Sequence, residues 1–600
     1  MGTGRNLKMS FLFIDIETDD SEGCGLDPYR SQVVTFQAMT SAKKPLIIPK
    51  PKNLQELKEK LENNTVVGHN IKFETKFLKH HFGIILRNVY DIMIAEQIIQ
   101  GGTQPYIGLK ELVFKYCGVT LDKSEQRSFK MGEQLTESQK KYAIQDILYL
   151  PEIMRKQQAK IKLMDLQNTV DIEMKVVPAV AWLELSGINV DLKKLDEIKI
   201  KVLDQKNKTE KILIKELTRE QIEITYDTTQ EKASEIPEKV TIIPNLNSPK
   251  SLLDALKAKG YDKLKGTGKQ ELGKYKGDEL ITNLVLYRQA EKLLSGFIAG
   301  FYETRVKKDG KIEIKSPKYP HPITKRVHGE FNQCGALSGR FTSSKPNLQQ
   351  QPSRYREWRQ IYTAAPGNKI IACDLSQIEL KIIGQLAKEP KYIQAYKAYL
   401  DLHKETAAQM FNVPLEYVTK RQREIAKNIN FGLNYGMGAQ SLKESLKMNV
   451  DIEVTLDEAQ KLKQTFQRLY PHVTKYLHKA SKEGFQKGEV RTLAGRMCKT
   501  RNPSKKEEDY KIKNKGKNLP VQGLCADILK IAMGNLFLIL EPREIKLINS
   551  VHDELVFECN AEEAEEVAAI VKTEMETAGS FFLKDIPCIA EVTISDTWEK

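Results

Sequence analysis

The sequence predicts an α/β protein of several domains, and three observations point there. Its 600 residues exceed the roughly 250 to 300 that one hydrophobic core holds, so the chain divides. Residues 1–150 alternate short apolar runs with helical patterns, and residues beyond Arg340 do the same. Between them lies a stretch governed by helical periodicity.

Taken in order, Phe11 to Ile16, Val33 to Gln37, Leu46 to Ile48 and Thr65 to Val67 are strand-like, and Asn53 to Glu62 has helical spacing. From Leu163 to Glu220 amphipathic helix prevails, broken at Ser186-Gly187, and a Lys/Glu-rich polar stretch follows to Asn247; these long helices form an arm. Lys369 to Cys373 is a strand ending in Asp374, and long helices fill Lys388 to Gly488. Ile545 to Glu558 is a hairpin with His552-Asp553-Glu554 at its turn. Lysines at every second position from Lys511 to Lys517 suit an exposed loop, either touching phosphates or merely solvated.

A net charge of +15 attracts polyanions, with nucleic acid the commonest partner, although lysines that only solvate helix faces give the same sum. Eight cysteines without CxxC spacing suggest neither zinc nor a disulfide framework and fit a reducing compartment. No apolar run approaching the roughly 18 residues of a membrane helix and no leader are expected, so a soluble monomer away from membranes is the reading. Met1-Gly-Thr-Gly reads as an added start, and Asn6 stands where a myristoylation signal has Ser or Thr.

Two clusters carry chemistry. In Phe11-Leu-Phe-Ile-Asp15-Ile-Glu17 two carboxylates share one face of an apolar strand, which is costly unless a cation neutralises them; a strand reaching the surface at its end is the plainer alternative. Glu74 follows a second apolar strand, Asp91 stands in Val89-Tyr-Asp-Ile-Met, and Tyr142 and Asp146 lie four apart on one helical face. In the second cluster Asp374 ends a strand and Asp553 sits in a hairpin turn, places where an acid most often caps or turns the chain. The helix between them changes that balance. Arg423, Lys427, Phe431 and Tyr435 recur every four residues and form one stripe of two cations and two aromatics, an order that suits phosphates, then sugar, then base.

The first set resembles the DEDDy type of 3′ to 5′ exonuclease, and the second resembles the family A DNA polymerases. Asp374-Leu-Ser-Gln-Ile-Glu379 is similar to that family's motif A, Arg423 to Tyr435 to motif B, and Val551-His-Asp-Glu-Leu555 to motif C. Gly339-Arg340, Pro346-Asn-Leu-Gln349, Arg354, Tyr287-Arg-Gln, Asp401-Leu-His403 and Leu519-Pro-Val-Gln522-Gly add further matches, and the resemblance runs from Phe11 to the C-terminus.

The resemblance implies an RNase H-like exonuclease domain followed by a right-hand polymerase domain: exonuclease at 1–160, linker and thumb at 161–335, palm at 336–400, fingers at 401–525, and palm again at 526–600. It implies primer-template DNA and dNTPs as partners and two Mg²⁺ ions at each site, with Mn²⁺ able to substitute. Asp374, Asp553 and the Leu375 carbonyl would hold the polymerase ions, with Glu554 beside them. Arg423, Lys427 and His403 would hold the triphosphate, Lys427 also serving as acid for pyrophosphate. Gln377, Phe431 and Tyr435 would complete the nucleotide site. Glu379 would exclude a ribose 2′-OH, and Ser376-Gln-Ile-Glu379 also has the form of a helix capping box. Arg340, Asn347, Gln349, Arg354, Gln522 and His552 would contact DNA. Asn514 replaces an arginine of bacterial enzymes, so Lys513 or Lys515 supplies that charge.

In the exonuclease, Asp15, Glu17, Glu74 and Asp146 would bind metal and Tyr142 would orient water. Glu74 departs from the family's Asp, which implies slower proofreading. Rival readings are a single-subunit RNA polymerase, opposed by Glu379, Phe431-Gly432 and the leading exonuclease, and a DNA-binding scaffold without chemistry, opposed by the retained aspartates and Arg/Lys pair. The chain begins almost at the exonuclease, as in a form without a 5′ nuclease domain. Its Lys, Ile and Asn bias, Glu74 and the Gln221 to Ile243 insertion are most similar to the apicoplast branch of malaria parasites. That likeness implies organellar replication and repair, with helicase and primase as parts of one polyprotein.

Overall fold

The computed structural model describes residues 11–40, 44–48, 54–227, 234–308, 311–352, 355–502 and 506–599. Contacts divide the chain into unit 1, comprising 1–190, 321–351 and 362–600, and unit 2, comprising 191–320 and 352–361. The helix over Gln167–Ser186 packs within unit 1, so unit 2 begins after Val190.

Unit 1 opens with β1 (Phe11–Thr18), β2 (Val33–Thr40), β3 (Leu46–Ile48), β4 (Thr65–Gly68) and β5 (Val89–Asp91), a five-stranded sheet ordered β3-β2-β1-β4-β5. β1 is central, antiparallel to β2 and parallel to β4. Phe13, Ile14, Val66 and Val67 are buried in it. Alternation along β1 turns Asp15 and Glu17 to one face. Helices α1 (Lys72–Phe82), α2 (Ile92–Ile99) and α3 (Glu137–Leu148) follow, α3 lying on β1 and β2. A capping box of Thr136 and Gln139 starts α3, so Tyr142 and Asp146 sit on its second and third turns. α4 (Gln167–Ser186) is buried over most of its length.

Unit 2 is built on α5 (Leu192–Leu217) and α6 (Glu279–Leu293), which pack around Leu213, Leu252, Leu284 and Tyr287. The sequence marks the stretch after Glu220 only as polar and rich in Lys and Glu. In the structure Arg219–Asp227 pairs antiparallel with Ser234–Ile242. Gln221-Ile-Glu-Ile-Thr-Tyr226 alternates β-branched and aromatic residues with polar ones, a pattern that favours a ribbon over a helix.

Returning to unit 1, β6 (Asn368–Leu375), β7 (Lys546–Val551), β8 (Glu554–Asn560) and β9 (Ala590–Ser595) make an antiparallel sheet ordered β7-β8-β6-β9. Around it run α7 (Ile378–Ala387), α8 (Leu402–Phe411), α9 (Lys420–Asn434), α10 (Pro471–Lys487), α11 (Asp509–Leu540) and α12 (Ala564–Ser580). α11 packs against α4, α10 and α12. Two expectations change here. The lysines at 511–517 lie on the first turns of α11 rather than in a loop, so steps of two spread them over opposite sides. The same helix includes an 18-residue window of mean hydropathy 1.8, long and apolar enough to cross a membrane, but 78% of that window is buried within the protein.

The centre of unit 1 is ionic. Glu173 of α4 pairs with Lys530 of α11 and with Arg496, and Arg496 Nε donates to Asp527 at 2.7 Å. Lys530 also donates to the carbonyls of Gln333 (2.7 Å) and Gly339 (2.6 Å), and Gln333 donates to Glu173 at 2.7 Å. Burial pushes the Glu173 carboxyl up, but Lys530 and Arg496 outweigh it and hold it below the usual carboxylate range. Removing one member strands its partners, which costs about 3 to 5 kcal/mol for a buried pair. Glu173→Ala is therefore expected to destabilise unit 1 by that amount in urea unfolding followed through Trp182, whose indole N–H donates to Ile545 O at 3.0 Å. A loss below about 1 kcal/mol, the scale of an exposed pair, would contradict this.

Candidate active sites

β6 is paired on both sides, by β8 and β9, so its last residues are fixed in place. Asp374 lies opposite Glu554 in that ladder, and the Leu375 N–H donates to the Asp553 carbonyl at 3.1 Å. Asp374 and Asp553, 179 positions apart in the chain, are thus brought to one edge of the sheet. His552 and Asp553 form the two-residue turn between β7 and β8, with His552 at φ 56°.

α9 begins with a capping box of Thr419 and Gln422. Its stripe delivers Arg423, Lys427 and Phe431 to a cavity of about 230 Å³ lined also by Gln377, Ile378, Glu379, His403 and Asp553. Asp374 adjoins this cavity through the Leu375–Asp553 bond rather than lining it. Tyr435, the fourth member of the stripe, caps the C-terminal end of α9 and is not a lining residue.

The basic groups are held in different ways. Asp401 caps α8 through the His403 N–H (2.9 Å) and also pairs with Arg423 Nε, which orients the guanidinium. Lys427 is exposed and has no carboxylate partner among the described residues. His403 is buried, its ring 5.5 Å from that of Phe431, and its Nδ1 accepts from Asn430 Nδ2 at 3.0 Å. Burial pushes its pKa down to about 4, with Arg423 and Lys427 adding to the effect against Asp401. The ring is neutral near pH 7, and the Asn430 bond leaves the proton on Nε2.

Glu379 pairs with Arg340, the residue after Gly339. The capping box expected of Ser376 and Glu379 does not form. Gln377 takes the left-handed conformation at φ 51°, α7 starts without a side-chain cap, and the Ser376 hydroxyl donates to Glu591 at 2.7 Å. Glu554 is buried and accepts from the Trp598 indole at 2.9 Å.

The expected DNA contacts are dispersed. Asn347 accepts from the Gln349 and Gln350 N–H groups, both at 3.0 Å, and Gln349 donates to Ser550 O at 3.1 Å, so these side chains shape a turn and tie it to β7. Gln522 is half-buried on α11 and His552 is exposed. Lys513 lies 4.8 Å from the Phe485 ring centroid, and Lys515 pairs with Glu507 at 2.6 Å. Arg354 lies outside the described residues.

At the N-terminal sheet, oxygens of Asp15, Glu17 and Asp146 lie within 4.8 Å of one another. Glu74 is buried nearby on α1, outside that group, and one of its oxygens has no hydrogen-bond partner among the described residues. Burial, then Asp146, raises the Asp15 carboxyl well above its usual range, and burial, then Asp15, does the same for Glu17 and Glu74. Buried acids raised in this way fit a divalent cation, whose charge would stabilise them ionised. Tyr142 stands one turn before Asp146, its hydroxyl also raised by burial and Asp146. Asp91 serves α2 instead, capping it through the Met93 N–H at 2.9 Å. Lys123 was not foreseen: its ammonium donates to Asp146 Oδ2 at 2.7 Å and Oδ1 at 3.0 Å. It sits in Leu121-Asp-Lys-Ser-Glu125, which has no periodicity or motif to mark it.

A carboxyl raised on folding makes the native state bind more protons than the unfolded one, so its stabilisation is present at low pH and lost as pH rises from the ordinary carboxylate range through the raised value. Metal-free protein is expected to melt at lower temperature at pH 8 than at pH 5. Glu74→Gln is expected to recover about 2 °C or more at pH 8 and little at pH 5; equal effects at both pH values would contradict the assignment.

The profile of "DNA polymerase family A" matches residues 214–600, and that of "3'-5' exonuclease" matches 18–162, beginning just after Glu17. DNA polymerase I of Aquifex aeolicus is 32% identical over 570 residues, covering 91% of this chain and 90% of that protein. DNA polymerase I of Pseudomonas aeruginosa is 29% identical over 97% of this chain, which spans 63% of that protein. The thermostable DNA polymerase I of Thermus aquaticus is 34% identical over 59% of this chain and 42% of its own length. Among solved structures, the POL domain of Pol1 from M. smegmatis in complex with DNA primer-template and dNTP superposes with a TM-score of 0.77 at 22% identity, covering 98% of this chain and 95% of that one. With its matched exonuclease segment leading its matched polymerase segment, this chain belongs to the family A DNA polymerases.

Proposed function

We propose that this chain extends primer 3′ ends on a DNA template at the α9 cavity and removes mispaired 3′ nucleotides at the Asp15 cluster. The observation that carries the first part is the cavity itself, where Gln377, Glu379, His403, Arg423, Lys427, Phe431 and Asp553 meet from four stretches of sequence. Three convergent groups for a triphosphate, an aromatic face and a strand-end acid pair are what nucleotidyl transfer requires.

Divalent ions, Mg²⁺ with Mn²⁺ able to substitute, would lower the charge on attacking and leaving oxygens at both sites. Asp374, Asp553 and the Leu375 carbonyl would hold them at the polymerase site; Asp15, Glu17 and Asp146, with Glu74 nearby, would hold them at the exonuclease site. Arg423 binds the triphosphate as a planar fork already oriented by Asp401. His403 donates to it from Nε2, and Lys427 neutralises its oxygens and gives a proton to pyrophosphate. Phe431 faces the sugar, with Tyr435 beyond it toward the base. Glu379, pinned by Arg340, excludes a 2′-OH. Tyr142 orients the water used in proofreading.

We further propose an organellar role in the apicoplast, with helicase and primase on the same polyprotein. The Lys, Ile and Asn bias and Glu74 support it. Immunolocalisation in parasite cells tests it, and a signal confined to nucleus or cytosol would rule it out.

Separation of function tests the main reading. Asp553→Ala is expected to lose primer extension by at least about a hundredfold while still trimming mismatched ends, and Asp15→Ala to do the reverse. Normal extension by Asp553→Ala, or intact mismatch removal by Asp15→Ala, would overturn the corresponding half.

A further inference from the structure

Lys123 stands among the exonuclease acids without belonging to any motif of the sequence. Besides its two bonds to Asp146, its ammonium lies 3.3 Å from the Tyr142 hydroxyl and 5.1 Å from the centroid of that ring. Its side chain keeps 26% exposure, so it reaches in from the rim, whereas the Asp146 side chain keeps 8%. Among the described residues no other Lys or Arg comes within ion-pair distance of Asp15, Glu17 or Asp146. The ammonium therefore supplies the local positive charge and spans the two groups, Asp146 and Tyr142, that must keep a fixed separation.

An ammonium that engages both oxygens of a carboxylate uses the lone pairs a divalent ion would need. Resting on the exonuclease reading above, we propose that Lys123 is a resident counter-cation and positioning residue of this site: it holds Asp146 beside Tyr142 and competes with the divalent ion for the Asp146 oxygens. Lys123 then sets how much metal proofreading requires. A long, flexible stem suits the role, because the head can withdraw toward solvent as an ion enters.

Mn²⁺ binding to the full chain, followed by the electron paramagnetic resonance of free Mn²⁺, tests this directly. Asp553→Ala serves as background to silence the polymerase acids, and Asp15→Asn in that background defines the exonuclease signal. Lys123→Met is expected to bind Mn²⁺ at that site about tenfold more tightly, the scale on which outer-shell groups tune metal sites, with Lys123→Arg close to the parent. Lys123→Gln repeats the measurement should the Met variant lose its far-ultraviolet circular dichroism. Affinity within twofold of the parent, or weaker, with Asp15-dependent binding intact, would overturn the role of Lys123 and leave the exonuclease reading standing. Absence of any Asp15-dependent Mn²⁺ binding in the parent would overturn both.

Discussion

The buried ionic cluster of Glu173, Arg496, Asp527 and Lys530 is the interaction on which unit 1 depends. Two acids and two bases, all 0 to 5% exposed, join α4 to α11 and to the 333–340 segment. Its reach extends to the α9 cavity. Lys530 holds the Gly339 carbonyl, Arg340 follows, and Arg340 pairs with Glu379 at the cavity wall. Gly339 is at φ +79°, and a Cβ there would stand 2.5 Å from the Arg496 guanidinium. Glycine is thus required both by the backbone and by the cluster. Such a cluster is dear in desolvation and strict in geometry, which suits a place where two chemical centres must be held in one body.

The two centres differ in their electrostatics. The α9 cavity brings Arg423 and Lys427 together with Glu379 and Asp553, and its buried histidine, His403, is kept neutral by burial and by Arg423 and Lys427. The Asp15 cluster sets half-buried Asp15 beside buried Glu17 and Asp146, with Lys123 as the nearby cation. It is prepared for positive charge. Helix periodicity builds the first site and strand alternation the second, so each depends on a local rule that the sequence states openly.

Much of this was legible before any coordinates. Asp15 and Glu17 two apart in an apolar run, and Arg423, Lys427 and Phe431 four apart, carry their geometry in their spacing. The hairpin over Ile545 to Glu558 and the strand ending at Asp374 were equally plain. What could not be read depends on long-range contact. Ser376 and Glu379 have capping-box spacing, but Glu591, 215 residues away, takes the serine hydroxyl. Lys123 has no local pattern at all, and its role follows from a loop folding back over α3. The ribbon at Arg219–Asp227 lies in a stretch read only as polar, although Ile222, Ile224 and Tyr226 alternate there with polar residues. Lys511 to Lys517 misled because alternation in lysine looks like an exposed loop, whereas the apolar residues after Asn518 continue the helix through it.

The central claim is that the α9 stripe binds the triphosphate of an incoming nucleotide at a site separate from the acid cluster. Single-turnover incorporation measured across a range of dNTP concentrations for Arg423→Ala tests it most directly. The account predicts that the dNTP concentration giving half-maximal rate rises at least about tenfold, with mismatch removal unchanged. An unchanged dNTP dependence, or a parallel loss of mismatch removal, would contradict it.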